Sequence, residues 1–266
     1  MSSTLTLDIQ DHIAVVTLND MQRRNALSRR MVSEMFDALE SSRQRGARAV
    51  VVAAKGPAFC AGANIDDLRD GWMEQADPKT DPAFLFQRLV EEDRVVVAAV
   101  QGPAVGGGFE LTLSCDLVVA EDQAWFALPE VTRGVIPNTG LALLQHMVGT
   151  RRALHLVLGA QRISAVQALQ QGLVNEVVES GRATERAIAL AKMITSSAPP
   201  GALRTAKHQL HSHAGYDWQR VRSSVADVPR AEWQEGLDAF TQKRGTNFDP
   251  FWTVCSTDQA TRSGQS

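Results

Sequence analysis

Runs of apolar residues separated by polar turns fill the first part of the chain. Residues 5–9 and 13–18 are rich in β-branched side chains and flank a polar turn, which predicts a β-hairpin. Two later runs, residues 49–54 and 95–100, are apolar without interruption and predict buried strands. The same reasoning assigns shorter strands to residues 117–120, 125–127 and 174–178.

Helical periodicity begins after Ser28 and dominates the last third of the chain. Ser28 is a favourable N-cap, and the apolar residues that follow share one helical face: Met31, Met35, Phe36 and Leu39. Thr139 or Thr150 can cap later amphipathic segments, and Ser164 can cap a short helix. Two further helices are predicted within residues 201–243, where little core remains to be covered. We expect them to lie across the core or to pack on another subunit.

Composition narrows the class of protein. With 266 residues, 44% of them hydrophobic, the chain can bury a large core as one domain with a helical extension. A net charge of −3 does not show the excess of basic residues that is typical of a nucleic-acid-binding protein. The three cysteines are an odd number and predict a reducing compartment. Without a secretory signal pattern or an apolar run long enough to span a bilayer, we expect a cytoplasmic protein with no membrane partner.

Three consecutive glycines, Gly106 to Gly108, follow the apolar run at residues 95–100. Such a triplet lets the backbone approach another group very closely. Apolar residues at helical spacing come next, so the glycines mark a strand-to-helix junction. Free N–H groups and the positive end of a helix dipole at such a junction suit a negative charge that develops on oxygen. A plain tight turn would use the same glycines, whereas a phosphate-binding loop fits poorly because no Lys-Ser or Lys-Thr follows.

A second junction follows the run at residues 49–54. Small residues again come directly after a buried strand, and residues 64–68 have the pattern of a helix start with carboxylates in its first turn. Two junctions of this kind could aim two backbone N–H groups at one point, which is the geometry of an oxyanion hole. The irregular segment at residues 71–82 is either a flexible loop over this site or an ordinary surface excursion.

Seven motifs in this order resemble the enoyl-CoA hydratase (crotonase) superfamily, from about residue 5 to residue 248. They are Phe59-Cys-Ala-Gly-Ala-Asn-Ile, Val100-x-Gly-x-Ala-x-Gly-Gly-Gly-x-Glu, Cys115-Asp116, Leu128-Pro-Glu, Gly134-x-Ile-Pro, Ile163-Ser-Ala with Gly172-Leu-Val, and Glu235-Gly-x-x-Ala-Phe-x-x-Lys-Arg. The resemblance implies an α/β fold, a crotonase-like spiral of ββα units with a C-terminal helical trimerisation region. It also implies a homotrimer or a dimer of trimers.

The resemblance divides the chain into three parts. Residues 1–195 are the expected spiral core that carries the active site. Residues 196–250 are the expected helical region for oligomer packing and closure of the CoA pocket. Residues 251–266 are polar, lack anything to pack, and are expected to be a disordered tail.

The resemblance further implies an acyl-CoA thioester as the ligand, with coenzyme A present only as part of the substrate and no metal or redox cofactor. The two oxyanion donors match the N–H groups of Ala63 and Gly107. Ala61 falls where the family's backbone contacts the CoA adenine, and Lys243 matches a basic residue that reaches the CoA phosphates, often from a neighbouring subunit. The remaining residues assigned to substrate binding are Gly62, Ile65, Gly106, Pro137 and Asn138.

Two glutamates decide between the reactions of the superfamily. Hydratases carry glutamates at the positions of Glu110 and Glu130, whereas enoyl-CoA isomerases usually keep only the later one. Both are present here, which favours hydration of a 2-enoyl-CoA thioester; an isomerase and a non-catalytic acyl-CoA-binding protein are the alternatives. Taken alone, Glu110 could simply favour a helix start, and Glu130 could lie on a solvated turn.

The sequence departs from the family pattern at two positions. Asn138 stands where many hydratases have a glycine that helps to seat the catalytic water, so its side chain could crowd the water or bind the acyl group. Asn64 replaces the commoner aspartate, and we expect it to make a polar contact at a helix start. The resemblance therefore leaves the acyl group of the substrate open.

Overall fold

The apolar runs form strands of two sheets. The computed structural model describes residues 3–72 and 77–252. Within these ranges the strands are β1 (Leu5–Gln10), β2 (Ile13–Leu18), β3 (Ala49–Ala54), β4 (Val95–Val100), β5 (Ala104–Val105), β6 (Leu117–Glu121), β7 (Trp125–Ala127), β8 (Ile163–Ser164) and β9 (Glu176–Val178). The larger sheet has the order β1-β2-β3-β4-β6-β9, and the smaller one has the order β5-β7-β8.

Helices follow most of these strands. The α-helices are α1 (Arg29–Gln44), α2 (Ile65–Arg69), α3 (Pro82–Val90), α4 (Gly107–Leu113), α5 (Asn138–Val148), α6 (Thr150–Leu158), α7 (Ala165–Gln170), α8 (Ala183–Ser197), α9 (Pro200–Ala214), α10 (Trp218–Ser223), α11 (Arg230–Thr241) and α12 (Asp249–Trp252). Short 3-10 turns occupy Met21–Arg23, Glu130–Arg133 and Ser224–Asp227. Every helix within residues 3–72 and 77–252 is too short or too polar to span a bilayer.

The larger sheet is covered on both faces, which explains why its strands are apolar without alternation. The predicted hairpin β1–β2 is antiparallel, and the other neighbours in this sheet run parallel. Val50 and Val52 of β3 point into the larger core, whereas Val51 points to the opposite face and packs with α8. Parallel strands buried in this way need apolar residues at every position.

A repeated unit places one strand in each sheet. β4 in the larger sheet leads to β5 in the smaller one and then to α4, and β6 leads in the same way to β7 and the turn at Glu130–Arg133. The sequence prediction missed β5 and placed the glycines directly after the strand at residues 95–100. Two residues are too few for a hydrophobic pattern, and β5 forms because it pairs with β7.

Some predicted helix starts are wrong and others are confirmed. Ser28 caps α1 and Ser164 caps α7 through their side chains. Thr139 and Thr150 are not caps, because α5 follows Pro137 and α6 follows Gly149, so both threonines lie inside helices.

Three α-helices, rather than two, fill residues 200–241, and all three contact the core. Gly215 in the left-handed conformation ends α9, and Asp217 caps α10. Lys207 of α9 donates to Asp116 at 2.8 Å, α10 packs on α3 and α5, and α11 packs on the turn at Glu130–Arg133. α10 and α11 therefore lie across the core, in agreement with one of the two expectations, whereas α9 contacts the core through Lys207. Residues 253–266 of the predicted tail lie outside the described residues, as do residues 73–76 of the segment at 71–82.

Candidate active site

A cavity of about 600 Å³ opens beyond the carboxyl ends of β3 and β4. Ligands of parallel sheets commonly bind at this edge. The cavity is lined by both sequence-predicted junctions, which contribute Ala61, Gly62, Ala63, Val105, Gly106 and Gly107. Glu110 and Glu130 line it as well. The fold therefore brings the two glycine-containing loops and the two glutamates to one space, hereafter the central cavity.

The N–H groups of Ala63 and Gly107 lie close together, and no acceptor for either is found in the part of the chain that the structure describes. Leu27 pairs with the residues on both sides of Ala63: its N–H donates to Gly62 O, and its O accepts from Asn64 N. Gly107 is the first residue of α4, where an N–H has no intrahelical acceptor. A Cβ placed on Gly107 would lie 3.7 Å from Ala63 N, so the two loops are in contact.

Two glycines make this approach possible. Gly106 has a φ of +57°, and a Cβ on it would lie 2.8 Å from Glu130 Oε1. A Cβ on Gly108 would lie 2.2 Å from Cys60 O, which is closer than any side chain allows. The triplet therefore allows two loops and a carboxyl group to lie in close contact, in addition to forming a tight turn.

The carboxyl group of Glu110 is buried and lies against the start of α5. It lies in the first turn of α4, and its Oε1 accepts a hydrogen bond from Gly140 N of α5 at 2.8 Å. Burial raises the pKa of Glu110 to about 7, although the N–H groups of Gly140 and Thr139 favour the ionised form. Glu110 therefore ionises at a higher pH than an exposed glutamate does.

Glu130 has a different environment. It begins the 3-10 turn, and its Oε2 is buried with no hydrogen-bond partner in the described residues. Burial and, second to it, the negative charge of Glu110 together raise the pKa of Glu130 to about 8. Because the two carboxyl groups influence each other, ionisation of one favours the protonated form of the other.

The remaining predicted residues divide into two groups. Ile65 and Asn138 line the central cavity, whereas Pro137 and Lys243 do not belong to its lining. The Asn138 side chain folds back, and its Oδ1 accepts a hydrogen bond from Thr139 N at 2.9 Å. Pro137 is buried at the start of α5, and Lys243 is exposed just after α11. The roles assigned to both residues stay predictions.

Asn64 makes the helix-start contact that we expected. Its side chain accepts hydrogen bonds from the N–H groups of Asp66 and Asp67 and so caps α2. Among residues 3–72 and 77–252, no group of three or more His, Cys, Asp or Glu side chains has the arrangement of metal ligands.

Sequence reasoning missed much of the cavity wall. Buried Trp72 and Phe86 line one side together with Asp81 and Arg222, and exposed Arg23 and Arg24 lie near Ala61. Arg133 and Phe240 also line the cavity, with the guanidinium 4.7 Å from the ring centre. These residues come from distant parts of the chain, and no local pattern in the sequence brings them together.

Two backbone N–H groups without an acceptor in the described residues line one cavity with a pair of buried carboxyl groups, an arrangement that suits acid–base chemistry on a carbonyl compound. Known proteins with similar sequences agree with this class. The family model for enoyl-CoA hydratase/isomerase matches residues 8–250. The chain therefore belongs to the enoyl-CoA hydratase/isomerase (crotonase) family.

Individual relatives match over nearly their whole length. A Thermus thermophilus protein is 36% identical over 247 residues, which cover 89% of this chain and 97% of the relative. A 2,3-dehydroadipyl-CoA hydratase of Escherichia coli is 33% identical, with 92% of this chain and 98% of the relative covered. The crystal structure of a carnitinyl-CoA hydratase from Mycobacterium avium superposes with a TM-score of 0.83 at 32% identity, covering 94% of this chain and 100% of that one. The predicted family and α/β fold are confirmed, and the trimerisation region stays a prediction.

Proposed function

We propose that the protein adds water reversibly across the 2,3 double bond of a 2-enoyl-CoA thioester. Enzymes of this family act on CoA thioesters without a permanently bound cofactor. The observation that carries the proposal is the pair of coupled carboxyl groups, Glu110 and Glu130, in one cavity with the free N–H groups of Ala63 and Gly107. An isomerase needs one carboxyl group to move a proton, whereas hydration uses two.

The backbone amides stabilise the charge that develops on the thioester. As the oxygen of water reaches C3, negative charge moves to the thioester oxygen, which accepts hydrogen bonds from Ala63 N and Gly107 N. Loss of one such donor typically costs about 3–4 kcal/mol of transition-state stabilisation. Since both donors belong to the backbone, only a change that removes an N–H or moves a loop can abolish the effect.

The two glutamates divide the proton transfers. Glu110 acts in its ionised form, because Gly140 N donates to it and the N-terminus of α5 favours negative charge. It orients a water molecule and takes one proton from it as the hydroxyl group bonds to C3. Glu130 acts in its protonated form and supplies the proton that C2 gains. Loss of a proton from Glu110 to solvent and gain of one by Glu130 complete the cycle.

The predicted substrate-binding residues take their places around this centre. Ala61 and Gly62 precede the first donor, and Ala61 is assigned to the CoA adenine. Ile65 and Gly106 bound the cavity beside the donors, and we retain Lys243 as a contact of the CoA phosphates. Asn138 lines the cavity at the start of α5, where its side chain can bias the position of the water or the acyl group.

Two assays test the reaction. Incubation with a 2-enoyl-CoA should consume the ultraviolet absorbance of the conjugated thioester, whereas an isomerase would create that absorbance from a 3-enoyl-CoA. A protein that binds both compounds without converting either would be a non-catalytic acyl-CoA-binding member. Conversion of only the 3-enoyl compound would overturn the hydratase assignment.

The variant Ala63→Pro tests the backbone donor directly. It removes an N–H that has no acceptor in the described residues, while the paired groups of Leu27, Gly62 and Asn64 stay available. We expect kcat to fall about 10²- to 10³-fold, and Ala63→Gly, which keeps the N–H, should retain most activity. Full activity in a folded Ala63→Pro protein would show that the first donor is misassigned.

We infer that the enzyme is cytoplasmic and that it assembles as a trimer or a dimer of trimers. Buried free thiols at Cys60 and Cys115 suit a reducing compartment. Large apolar side chains that would favour burial in an oligomer are exposed at Leu154, Leu158 and Leu210. Sedimentation of the purified protein would decide between monomer, trimer and hexamer.

A further inference from the structure

Arg222 of α10 lines the central cavity as a partly buried cation that forms no salt bridge with the described residues. Its Nη1 donates a hydrogen bond to Gln87 Oε1, and its guanidinium carbon lies 4.4 Å from the centre of the Phe84 ring. Gln87 is neutral, and no carboxylate of the described residues forms a salt bridge with Arg222. A guanidinium has five N–H donors, so most of its hydrogen-bonding capacity remains for a ligand.

The position of Arg222 relative to the backbone donors indicates which part of a ligand it meets. Ala61 N donates to Arg24 O, so the exposed Arg23 and Arg24 lie on the first side of Ala63, next to the residues that precede it in the chain. On the other side the chain continues through α2 to Trp72, whose indole N–H donates to Thr80 O just before α3.

Arg222 belongs to this second side, because α10 packs on α3 and α5. The side is lined by buried aromatic residues, and Trp72 and Phe86 are each only 2% exposed. The phosphate groups of CoA require solvent or exposed cations, which the first side offers. A thioester whose CoA phosphates lie on the first side would therefore extend its acyl chain from the donors towards Trp72, Phe86 and Arg222.

A plain alkyl chain is a poor match for this end of the cavity. It would remove water from the guanidinium without replacing the hydrogen bonds, and burial of a charge without a partner is unfavourable. A carboxylate would accept two parallel hydrogen bonds from the guanidinium, the pairing for which arginine is best suited.

Asp81 is a charged neighbour of Arg222 in the cavity lining. Its Oδ1 accepts a hydrogen bond from Ala83 N at 2.8 Å and caps α3. Burial raises the pKa of Asp81, while the Ala83 N–H and the positive charge of Arg222 act in the opposite direction. Asp81 is therefore bound to the start of its own helix, and it leaves Arg222 as the group at this end that can pair with an anion.

We propose that the acyl group of the substrate ends in a carboxylate and that Arg222 binds it, so that the enzyme takes CoA monothioesters of dicarboxylic acids. This inference rests on the proposed function and narrows its substrate class. It assigns a specificity-determining role to a residue that contacts neither the double bond nor the thioester.

Binding of saturated thioesters tests the inference independently of catalysis. Hexanoyl-CoA and the monothioester hexanedioyl-CoA differ only at the far end of the acyl chain, and neither can be hydrated at a double bond. Calorimetry should show tighter binding of the dicarboxylic compound by about tenfold or more, since a hydrogen bond to a charged group contributes about 1.5–3 kcal/mol. Pairs with four to eight carbons extend the comparison to other chain lengths, and equal affinities across the whole series would overturn the proposal.

Variants locate the effect. Arg222→Gln should abolish the preference for the carboxylate while hexanoyl-CoA binds as before, and thermal unfolding establishes that the variant is folded. Arg220→Gln is the matched control, because Arg220 is exposed on the same helix and pairs with Asp227 outside the cavity. This control should keep the preference. An equal loss of affinity for both thioesters and for free CoA in Arg222→Gln would place Arg222 at the CoA phosphates and refute its acyl role.

Failure of the two proposals can be told apart. If the protein prefers the dicarboxylic thioester through Arg222 but does not hydrate any unsaturated thioester, the proposed reaction is wrong and the role of Arg222 is supported. A protein that hydrates 2-hexenoyl-CoA and shows no preference at the far end would do the reverse.

Discussion

Glu110 and Glu130 face one cavity, yet different parts of the molecule hold them. Glu110 lies within the core on α4, which follows β5 of the smaller sheet. A backbone N–H of α5 donates a hydrogen bond directly to it. Glu130 lies on a 3-10 turn whose outer side is covered by α11. The turn and the helix are in backbone contact, since a Cβ on Gly236 would lie 1.7 Å from Arg133 O.

The fold thereby assigns opposite roles to two chemically equal groups. Direct hydrogen bonds from N–H groups favour the ionised form of Glu110, whereas the buried, unpartnered Oε2 of Glu130 favours its protonated form. Environments that separate the pKa values of two carboxyl groups commonly mark the base and the acid of a site. Each of the following experiments changes one side of the comparison and leaves the other in place.

Removal of either carboxyl group should have the largest effect. Glu110→Gln and Glu130→Gln should each lower kcat by about 10²- to 10⁴-fold, because a general acid or base contributes that much. The affinity for free CoA should stay within a few-fold, since neither residue is assigned to the CoA moiety. A variant with unchanged turnover would contradict the role assigned to that glutamate.

The pH profile of the wild-type enzyme identifies which group does what. Activity should rise with pH through about 7 as Glu110 ionises and fall above about 8 as Glu130 loses its proton, and the two limbs belong to the coupled pair. The residual activity of Glu110→Gln should lose the acid limb, and that of Glu130→Gln should lose the alkaline limb. The opposite assignment of limbs would exchange the two roles.

The elements that hold Glu110 and the first junction were largely predictable from the sequence. The continuous apolar runs predicted β3 and β4 with the observed bounds, and glycines followed by apolar residues at helical spacing predicted the start of α4. Local patterns sufficed because each is a property of neighbouring residues. The meeting of Ala63 with Gly107 needed the family resemblance, since it depends on contacts between loops that are distant in the chain.

The surroundings of Glu130 and of the cavity end lined by Arg222 could not be predicted from local sequence patterns. Helical periodicity predicts two helices within residues 201–243, where the structure has three, and it does not state which element each helix covers. Arg222 and Phe240 enter the cavity because of how these helices pack, and Gly236 has no local signal that distinguishes it from a tolerated helix glycine. The role of Lys243 rests on the family motif alone: the residue lies outside the cavity lining, and its contact with the CoA phosphates stays a prediction.

A change in α11 should affect the Glu130 side alone. Gly236→Ala places a methyl group against Arg133 O, so the helix must move away and the turn that carries Glu130 loses its support. Overpacking of this kind costs about 1–3 kcal/mol, and we expect kcat to fall about tenfold with little change in CoA affinity. Steady-state kinetics together with thermal unfolding measure the two effects separately.

Gly201→Ala is the control for this variant. Gly201 also lies in a C-terminal helix, but a Cβ there meets nothing within 4 Å, so stability and turnover should be retained. A Gly236→Ala protein that melts earlier yet keeps full kcat would show that α11 supports the fold without positioning Glu130.

The smallest expected effect concerns stability. A glutamate has an ordinary pKa of 4.5, and burial together with the negative charge of Glu110 raises that of folded Glu130 to about 8. Between these values the folded protein binds the proton more tightly than the unfolded chain does, so the contribution of Glu130 to stability falls as pH rises through the folded pKa. Glu130→Gln cannot ionise, and its Tm should therefore exceed that of the wild type by a few degrees at about pH 9 and by almost nothing at about pH 4.

Glu235 provides a control of opposite sign for that measurement. Its side-chain hydrogen bonds with Arg244 lower its pKa to about 2, so its ionised form stabilises the fold above the ordinary pKa of a glutamate. Glu235→Gln should therefore lower Tm at neutral pH, and the difference from the wild type should shrink as the pH falls towards 2. If Glu130→Gln behaved like this control, the folded state would favour ionised Glu130. The protein would then have no protonated carboxyl group to donate to C2, and the division of roles between the two glutamates would fail.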